Sequence, residues 1–490
     1  MDIDPNEEID LQTVKVRAIK GVAALTGRTF LLQIISFFGF FLLTVFLGQE
    51  EIGLFFAISE LVAILGYFSD VGLAAALIQK KEKPSVKDIR STFTIQQILV
   101  LSLLIIIFCL SPWLRRFYHI NSSGFFLLVS LLIGFFLSSL KTIPSVLLER
   151  RLKFDLLVVV EIVESLLFYG LAVFLAWRGW GVVSYAWAVL ARGIVGVILI
   201  YRFSPWPVGL AFEKDSLRHL LKFGVPYQAN TFLAVIKDRL MNVFLWKIVG
   251  AAGVGILGWA QKWAQMPLRF LMDAVMKVTF PAYARMQENK EELKKAVEKT
   301  LFFLSLLIFP LLVGIAVLAQ PLVHLIPKYE KWEIALIALY LFLINSFWAA
   351  VTTPLMNALT AVGKIRTVFK LMVMWTVLTW IIYPVLAIKY GFNGVALGAA
   401  LVSFSSTIAI WLTKKYIDFK FFEPLLKPTV GCLFMGFSLF FLRNFLPLNI
   451  FSLILMIFFG GLLYGVLVFL MVGKSLIVDM KKLFYAFKKH

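Results

Sequence analysis

The chain has few charged residues and almost no cysteine. Of its 490 residues only 16% are charged, whereas 61% are hydrophobic, and the mean hydropathy is +0.89. A soluble domain has about 25% charged residues, so a water-soluble globular protein is excluded. The two cysteines, Cys109 and Cys432, each lie within an apolar run, which argues against a disulfide framework and against a metal cluster.

Two other signals are missing. The first ten residues, MDIDPNEEID, are acidic where a secretory signal peptide would be basic, so no such signal is expected. Gly473-Lys474-Ser475 has no glycine five residues before Gly473, so it is not a phosphate-binding Walker A loop. We therefore expect neither ATP hydrolysis nor any cofactor.

What the chain does contain is a series of long apolar runs. Each is near the roughly 20 residues that a membrane-spanning helix needs, and none alternates as a membrane strand would. The sequence therefore predicts an all-α polytopic membrane protein with about fourteen transmembrane helices. The predicted spans are 28–48, 52–78, 91–111, 124–148, 156–177, 181–201, 217–247, 251–283, 300–320, 333–360, 367–388, 392–412, 428–445 and 449–472.

The net charge of +20 is explained by where the basic residues lie. If the N-terminus is cytoplasmic, most of the 48 Lys and Arg residues fall in inner segments, as the positive-inside rule requires. This bias predicts that both termini are cytoplasmic and that anionic lipid headgroups are partners. Nucleic acid is not expected to bind.

An internal repeat appears at an offset of 202 residues. FLGQEEIGLFFA (46–57) aligns with the first twelve residues of IVGAAGVGILGWA (248–260), so that Gly48 matches Gly250 and Gly53 matches Gly255. Two parallel six-helix repeats follow from this match. The predicted divisions are a cytoplasmic segment at 1–26 with an interfacial helix, an N-lobe at 27–205, a C-lobe at 206–416, and a terminal helix pair with a tail at 417–490.

Ionisable residues inside the spans mark the candidate site. Lipid exposure of the seven in spans 7 and 8 would cost on the order of 20 kcal/mol, so they must face a polar cavity or one another. The seven are Lys237, Asp238, Arg239, Lys262, Arg269, Asp273 and Lys277. In span 8 the last four fall within about 80° of one helical face, which favours a cationic wall for phosphate.

These positions divide into two predicted roles. The predicted substrate-binding residues from spans 7 and 8 are Gln228, Lys237, Arg239, Asn242, Lys262 and Arg269. The predicted ion-coupling residues are Glu60, Asp70 and Asp273. Structural ion pairing is the alternative, and it is favoured for Lys277 with Asp273 and for Lys141 with Glu161 or Glu164. A buried, hydrogen-bonded acid is the alternative for Glu60.

The stretch GLFFAISELVAILGYFSDVGLAAALIQ, followed by a basic loop and STF, resembles the polysaccharide-lipid flippases of the multidrug/oligosaccharidyl-lipid/polysaccharide exporter superfamily. FSDVGL (68–73) with Ile78-Gln79 is the nearest local match. The resemblance adds Arg28 to the substrate-binding residues by its place near the start of span 1. It also assigns importance to Asp70 and Gly72 by motif.

The resemblance implies two six-helix lobes that form a V and alternate between inward-open and outward-open states. It implies a polyprenyl-pyrophosphate-linked glycan as substrate, glycan polymerases as partners, an inner-membrane location, and coupling to an ion gradient or membrane potential. The terminal helix pair is expected to flank a groove for the lipid tail, with a lipid-facing packing pair as the alternative. A multidrug antiporter and a membrane enzyme of glycan assembly remain the rival functions, but the basic second lobe and the short outer loops argue against them.

Overall fold

The computed structural model describes residues 11–70, 72–80, 84–213 and 235–488, apart from the side chains of 11–26, 236–238, 273–274 and 474–488. These residues form helices and connecting turns, with no strand among them. Twelve of the helical stretches in the described ranges are long and apolar enough to cross a membrane. The predicted all-α polytopic fold is confirmed.

Two compact units make up the chain, one ending at Gly255 and the other beginning at Ile256. In the first unit α1 packs against α7, α7 against α8, α8 against α5, and α5 against α2. Its helices are α1 Leu11–Phe46, α2 Gln49–Phe68, α3 Leu73–Gln79, α4 Val86–Phe117, α5 Ser122–Leu140, α6 Thr142–Arg150, α7 Phe154–Trp177, α8 Val183–Phe203, a π-helix Val235–Leu240, and the start of α9 Met241–Arg285.

The second unit contains the rest of α9 and the helices that follow. Here α10 packs against α11 and α14, α11 packs against α12 and α13, and α14 packs against α15. The helices are α10 Lys290–Leu325, a 3-10 turn Glu330–Ala335, α11 Leu336–Ala361, α12 Ile365–Phe404, α13 Ser406–Tyr416, α14 Phe422–Leu442 and α15 Ile450–Lys488.

The twelve membrane-length stretches account for thirteen of the fourteen predicted spans, because Ile365–Tyr416 holds spans 11 and 12; of span 7, only the end lies in the stretch Met241–Met272, and residues 217–234 lie outside the described residues. Within α9, Gly250 leaves helical geometry at φ 71° and ψ 176°. Within α12, Gly391 does the same at φ 59° and ψ −141°. Glycine tolerates these positive φ values without the steric penalty that a side chain brings. The predicted turns between spans 7 and 8 and between spans 11 and 12 lie at these two glycines.

Two predicted spans are broken where continuous helices were expected. Span 2 stops at Phe68 and resumes at Leu73 as α3, because Gly72 adopts φ 75°. Span 4 breaks at Lys141, between α5 and α6. Pro144 has no N–H to donate to the carbonyl of Leu140, and the hydroxyl of Tyr201 donates to that carbonyl instead, at 3.2 Å.

The prediction of one α-helix over 217–247 is wrong at residues 235–240, which form a π-helix. A π-turn inserts an extra residue into the helical repeat and so rotates everything after it. The segment predicted as an interfacial helix is helical, and it continues into the first span without a break as part of α1.

The internal repeat has a structural counterpart at the start of the third span of each half. Ser85 caps α4 by accepting the N–H of Asp88 at 3.1 Å. Asn289 caps α10 by accepting the N–H of Glu292 at 3.2 Å. The two caps are separated by 204 positions (289 − 85), close to the offset of 202 found in the sequence.

Candidate functional site

A buried carboxylate on α7 holds two bases from neighbouring helices. Glu164, whose side chain is 4% exposed, lies 2.5 Å from Nζ of Lys141 and 3.4 Å from Nε of Arg192. Gly196 on α8 makes room for it, because a Cβ there would lie 1.8 Å from Oε1 of Glu164. The predicted pairing of Lys141 with Glu161 or Glu164 is confirmed for Glu164. The buried carboxylate thus ties together residues of three neighbouring helical segments, and the cluster keeps one net positive charge.

Arg28 is also paired within the first unit. Its guanidinium forms a salt bridge with the carboxylate of Glu161, joining α1 to α7. Both side chains are about one-third exposed. The sequence did not predict this pair, because Arg28 and Glu161 are far apart in the chain and helix packing alone brings them together.

Two residues given separate roles by the sequence contact each other. Nη1 of Arg239 lies 2.9 Å from Oε2 of Glu60, across 179 residues of chain. The π-helix that carries Arg239 packs against α2, which carries Glu60. Both side chains are partly exposed. A predicted phosphate ligand and a predicted coupling acid are therefore one ion pair in this structure.

The other candidate residues of span 7 lie within the π-helix or on either side of it in the chain. Trp246, seven residues after Arg239, is buried and stacks on Tyr118 with ring centroids 4.3 Å apart. Asn242 is half-buried in the first turn of α9. Lys237 lies in the π-helix, but its side chain is not described, and Gln228 lies outside the described residues.

The bases of α9 beyond Gly255 differ from those of the first unit. Arg269 is exposed on a membrane-length helix, and its Nη2 donates to Oε1 of the neutral Gln265 at 3.2 Å. Among the side chains that the structure describes, Arg269 has no carboxylate partner. Lys262 is half-buried seven residues earlier, about 10 Å along the same helix. The side chain of Asp273 is not described, so its pairing with Lys277 stays a prediction.

Four bases and three acids in the first unit are thus paired, whereas α9 presents an exposed arginine beside a neutral amide. An arginine in that setting can bind two oxygens of a phosphate or carboxylate with its planar fork. The arrangement suits recognition of an anion. Among the described residues no group of three or more His, Cys, Asp or Glu side chains could hold a metal ion.

The repeat-related glycines meet in the first unit. A Cβ on Gly53 would lie 1.7 Å from the carbonyl oxygen of Ala251, and a Cβ on Gly255 would lie 1.9 Å from that of Gln49. Backbone therefore packs on backbone where α2 begins and where α9 resumes after Gly250. No residue with a side chain fits at either glycine in this state.

Comparison with known proteins assigns the family. A family model described as "Polysaccharide biosynthesis protein" matches residues 42–336, which is more than half of the chain. The chain belongs to the polysaccharide biosynthesis protein family. This match confirms the predicted resemblance at the level of a polysaccharide biosynthesis family, and the membrane-length helices of the described residues support a multi-pass membrane protein.

Two relatives and one solved structure are similar to most of this chain. The lipopolysaccharide biosynthesis protein WzxC of Escherichia coli K12 is 24% identical over 375 residues, covering 74% of this chain and 73% of that protein. An uncharacterized membrane protein in the cps region of Klebsiella pneumoniae is 25% identical over 496 residues, covering 96% and 98%. The lipid II flippase MurJ, in an inward closed conformation, has a TM-score of 0.74 at 18% identity, covering 92% of this chain and 99% of that one. At this identity the last comparison shows the fold alone.

In this polysaccharide biosynthesis protein the FSDVGL motif builds a helix break. The carboxylate of Asp70 accepts the N–H of Ala74 at 3.0 Å in the first turn of α3, and Gly72 supplies the left-handed backbone. Asp70 thus satisfies one of the free N–H groups at a helix start. Its predicted coupling role stays a prediction.

The terminal helices of the polysaccharide biosynthesis protein lie beyond the matched residues and pack on α10. The hydroxyl of Tyr464 on α15 donates to the carbonyl of Leu306 on α10 at 2.9 Å, and Gly436 on α14 lies against Val313. Their other faces expose large apolar side chains such as Phe437 and Phe458. Both predicted roles, a groove for a lipid tail and a lipid-facing pair, are compatible with these apolar faces.

Proposed function

We propose that this protein is a flippase that moves polyprenyl-pyrophosphate-linked oligosaccharide across the cytoplasmic membrane by alternating access. Family membership, the relative named for lipopolysaccharide biosynthesis and the fold shared with a lipid II flippase support this proposal. The observation that carries it is Arg269, exposed on a membrane-length helix with no carboxylate partner among the described side chains.

A pyrophosphate headgroup needs cationic partners when it leaves water. Arg269 offers a planar fork for two phosphate oxygens, and Lys262 offers a point charge about 10 Å away along α9. The other proposed substrate contacts are Lys237, Asn242 and Gln228. The neutral amides of Asn242 and Gln228 are suited to sugar hydroxyls. The chain performs no covalent step in this proposal.

The Arg239–Glu60 pair supplies a coupling device in the proposed cycle. A proton or other cation that binds Glu60 would cancel the charge that holds Arg239 at 2.9 Å. Arg239 could then contact the substrate pyrophosphate, and release of the substrate would restore the pair. Arg28, held by Glu161, is proposed to exchange partners in the same way. Asp70 and Asp273 remain the other proposed coupling acids.

The proposed setting in the cell follows the charge distribution. In this proposal both termini and the basic segments at 80–90 and 284–299 face the cytoplasm, where anionic lipids bind them. The proposed lobes are 27–205 and 206–416, preceded by a cytoplasmic segment at 1–26 and followed by the terminal pair and tail at 417–490. Glycan polymerases are proposed partners on the outer side, where the substrate is delivered.

A variant series at Arg269 tests the proposal in vesicles that contain a defined polyprenyl-pyrophosphate sugar. Loss of a charge-assisted hydrogen bond corresponds to about 1.5–3 kcal/mol, so Arg269→Ala should slow flipping about 10–100-fold. Arg269→Lys should recover part of the activity, because it keeps the charge and loses the fork. Arg285→Ala is the matched control, an exposed arginine in the last turn of the same helix.

Two results would contradict the proposal. One is flipping by Arg269→Ala at the wild-type rate. The other is rescue of Arg269→Ala by Asp273→Asn, which would make Arg269 half of a structural ion pair. Each variant is first shown to insert and to remain monodisperse in detergent.

A further inference from the structure

The segment that follows α8 has no regular secondary structure and is fixed along the beginning of α4. The N–H of Ala211 donates to Oγ1 of Thr94 at 3.1 Å, and the N–H of Glu213 donates to Oγ of Ser91 at 3.2 Å. Nε of Arg90 donates to the carbonyl of Pro207 at 3.0 Å. One side of this segment is therefore occupied by polar side chains of α4. We call residues 204–213 the strap.

A buried tryptophan anchors the start of the strap. Trp206 is 7% exposed and packs edge-to-face on Phe93 of α4, with ring centroids 5.2 Å apart. It belongs to a hydrophobic core cluster with residues of α3, α4 and α6, among them Leu77 and Ile143. The strap is thus a built part of the first unit, held by its backbone and by one aromatic side chain.

The strap carries three exposed apolar side chains. Val208, Leu210 and Phe212 are 54%, 74% and 63% exposed. They alternate with the less exposed Gly209, Ala211 and Glu213, so the three exposed side chains form one row along the strap. Three exposed apolar side chains held on a fixed backbone form a patch that is expected to contact another apolar surface.

The equivalent connection in the second half lacks this row. After α13 the N–H of Lys420 donates to Oε1 of Glu298 on α10 at 2.7 Å, and Glu298 lies 204 positions after Thr94 (298 − 94). There Phe419 is only 1% exposed, and the polar Asp418 and Lys420 are exposed instead. The type of connection therefore does not require exposed apolar side chains. The exposed apolar side chains are therefore a feature of the strap itself.

The apolar row follows directly on an exposed apolar face of α8, a membrane-length helix. On α8, Ile194 and Ile198 are 50% and 62% exposed, and Arg202 is exposed one turn further along the same face. The strap begins two residues after Arg202, where the apolar run of α8 ends. Lys87, exposed in the first turn of α4, adds a second basic side chain beside Glu213 of the strap. Apolar side chains flanked by bases are typical of a segment that lies in the lipid interface.

We propose that the strap is an interfacial membrane anchor, in which Val208, Leu210 and Phe212 insert into the leaflet that meets the end of α8. Its partner is the lipid surface, with Arg202 and Lys87 at the level of the headgroups. Insertion of this kind reaches about 5–10 Å into the headgroup/acyl boundary, a depth within reach of exposed side chains on a surface segment. The anchor fixes the beginning of α4 and the end of α8 at one depth in the membrane.

Site-directed fluorescence tests this inference on the full chain in lipid vesicles. Cys109 and Cys432 are replaced by alanine, and a polarity-sensitive dye is attached to Val208→Cys, Leu210→Cys or Phe212→Cys. The vesicles carry phosphatidylcholine brominated at a shallow or a deep acyl position. Ile198→Cys on α8 is the lipid-facing control, and Glu291→Cys in the exposed first turn of α10 is the water-facing control.

The expected result is blue-shifted emission at the three strap positions, with stronger quenching by shallow than by deep bromines. Iodide in the water should quench them less than it quenches the dye at Glu291→Cys. Strap dyes that behave like Glu291→Cys would overturn the proposal, since the row would then face water or a soluble partner. Because all three positions are exposed, the labelled variants are expected to fold as the parent does, and size-exclusion chromatography checks this.

Discussion

Adding one methyl group at either repeat-related glycine should disrupt the packing of α2 on the resumed α9. A Cβ on Gly53 would lie 1.7 Å from the carbonyl oxygen of Ala251, whereas ordinary contact begins at 3.4 Å. The backbones would have to separate by about 1.7 Å (3.4 − 1.7), because the obstructing atoms are main chain and cannot rotate away. Overpacking of this kind costs about 1–3 kcal/mol.

The assay is thermal unfolding of Gly53→Ala and Gly255→Ala in detergent, followed by flipping in vesicles. Both variants should unfold at a lower temperature than the parent and should flip more slowly, since the state with the two backbones in contact is disfavoured. Gly170→Ala and Gly465→Ala are matched controls, because they lie in helices and nothing is within 4 Å of an added Cβ. Alanine there should stabilise the helix by about 0.5–1 kcal/mol.

The reasoning would be refuted if Gly53→Ala and Gly255→Ala unfolded at the same temperature as the two controls. It would also be refuted if both variants were less stable but flipped at the parent rate. The second result would make the contact a static packing feature with no part in transport.

Three other predictions concern charge. Glu164→Gln leaves two bases without their buried partner and should lower the free energy of unfolding by about 3–5 kcal/mol, measured against Glu423→Gln, whose exposed pair contributes little. The double exchange Glu60→Arg with Arg239→Glu should keep an ion pair and therefore the stability of the parent chain. It should not keep transport, measured as flipping under an imposed pH gradient. Full transport by this variant would make the pair purely structural. Gln287→Cys should resist an impermeant thiol reagent added to intact cells, while Asn444→Cys should react. The reverse pattern would show that the predicted topology is inverted.

Much of the fold could be predicted because a membrane restricts the backbone so strongly. Every N–H and C=O within the bilayer needs a partner inside its own helix, so long apolar runs and their number are readable from composition alone. The turns at Gly250 and Gly391 were placed for the same reason. The pairing of Lys141 with Glu164 was also readable, since adjacent antiparallel spans bring residues of equal depth together.

The features that the sequence did not predict depend on local backbone geometry or on packing between residues far apart in the chain. Pro144 was a visible signal for the break between α5 and α6, because proline cannot donate to the carbonyl four residues earlier. The π-helix over 235–240 left no such signal in the sequence. The contact between Arg239 and Glu60 joins helices 179 residues apart, and no periodicity in the sequence reports it.

The central claim is tested most directly by the purified parent chain in vesicles that hold a polyprenyl-pyrophosphate oligosaccharide in one leaflet. Transfer is scored by a membrane-impermeant enzyme that cleaves only the glycan exposed on the opposite side. The account predicts protein-dependent transfer that slows when polyprenyl-pyrophosphate sugar is replaced by the same sugar on an uncharged lipid, because Arg269 then loses its ligand. Equal transfer of both lipids, or no transfer of either above that of protein-free vesicles, would contradict it.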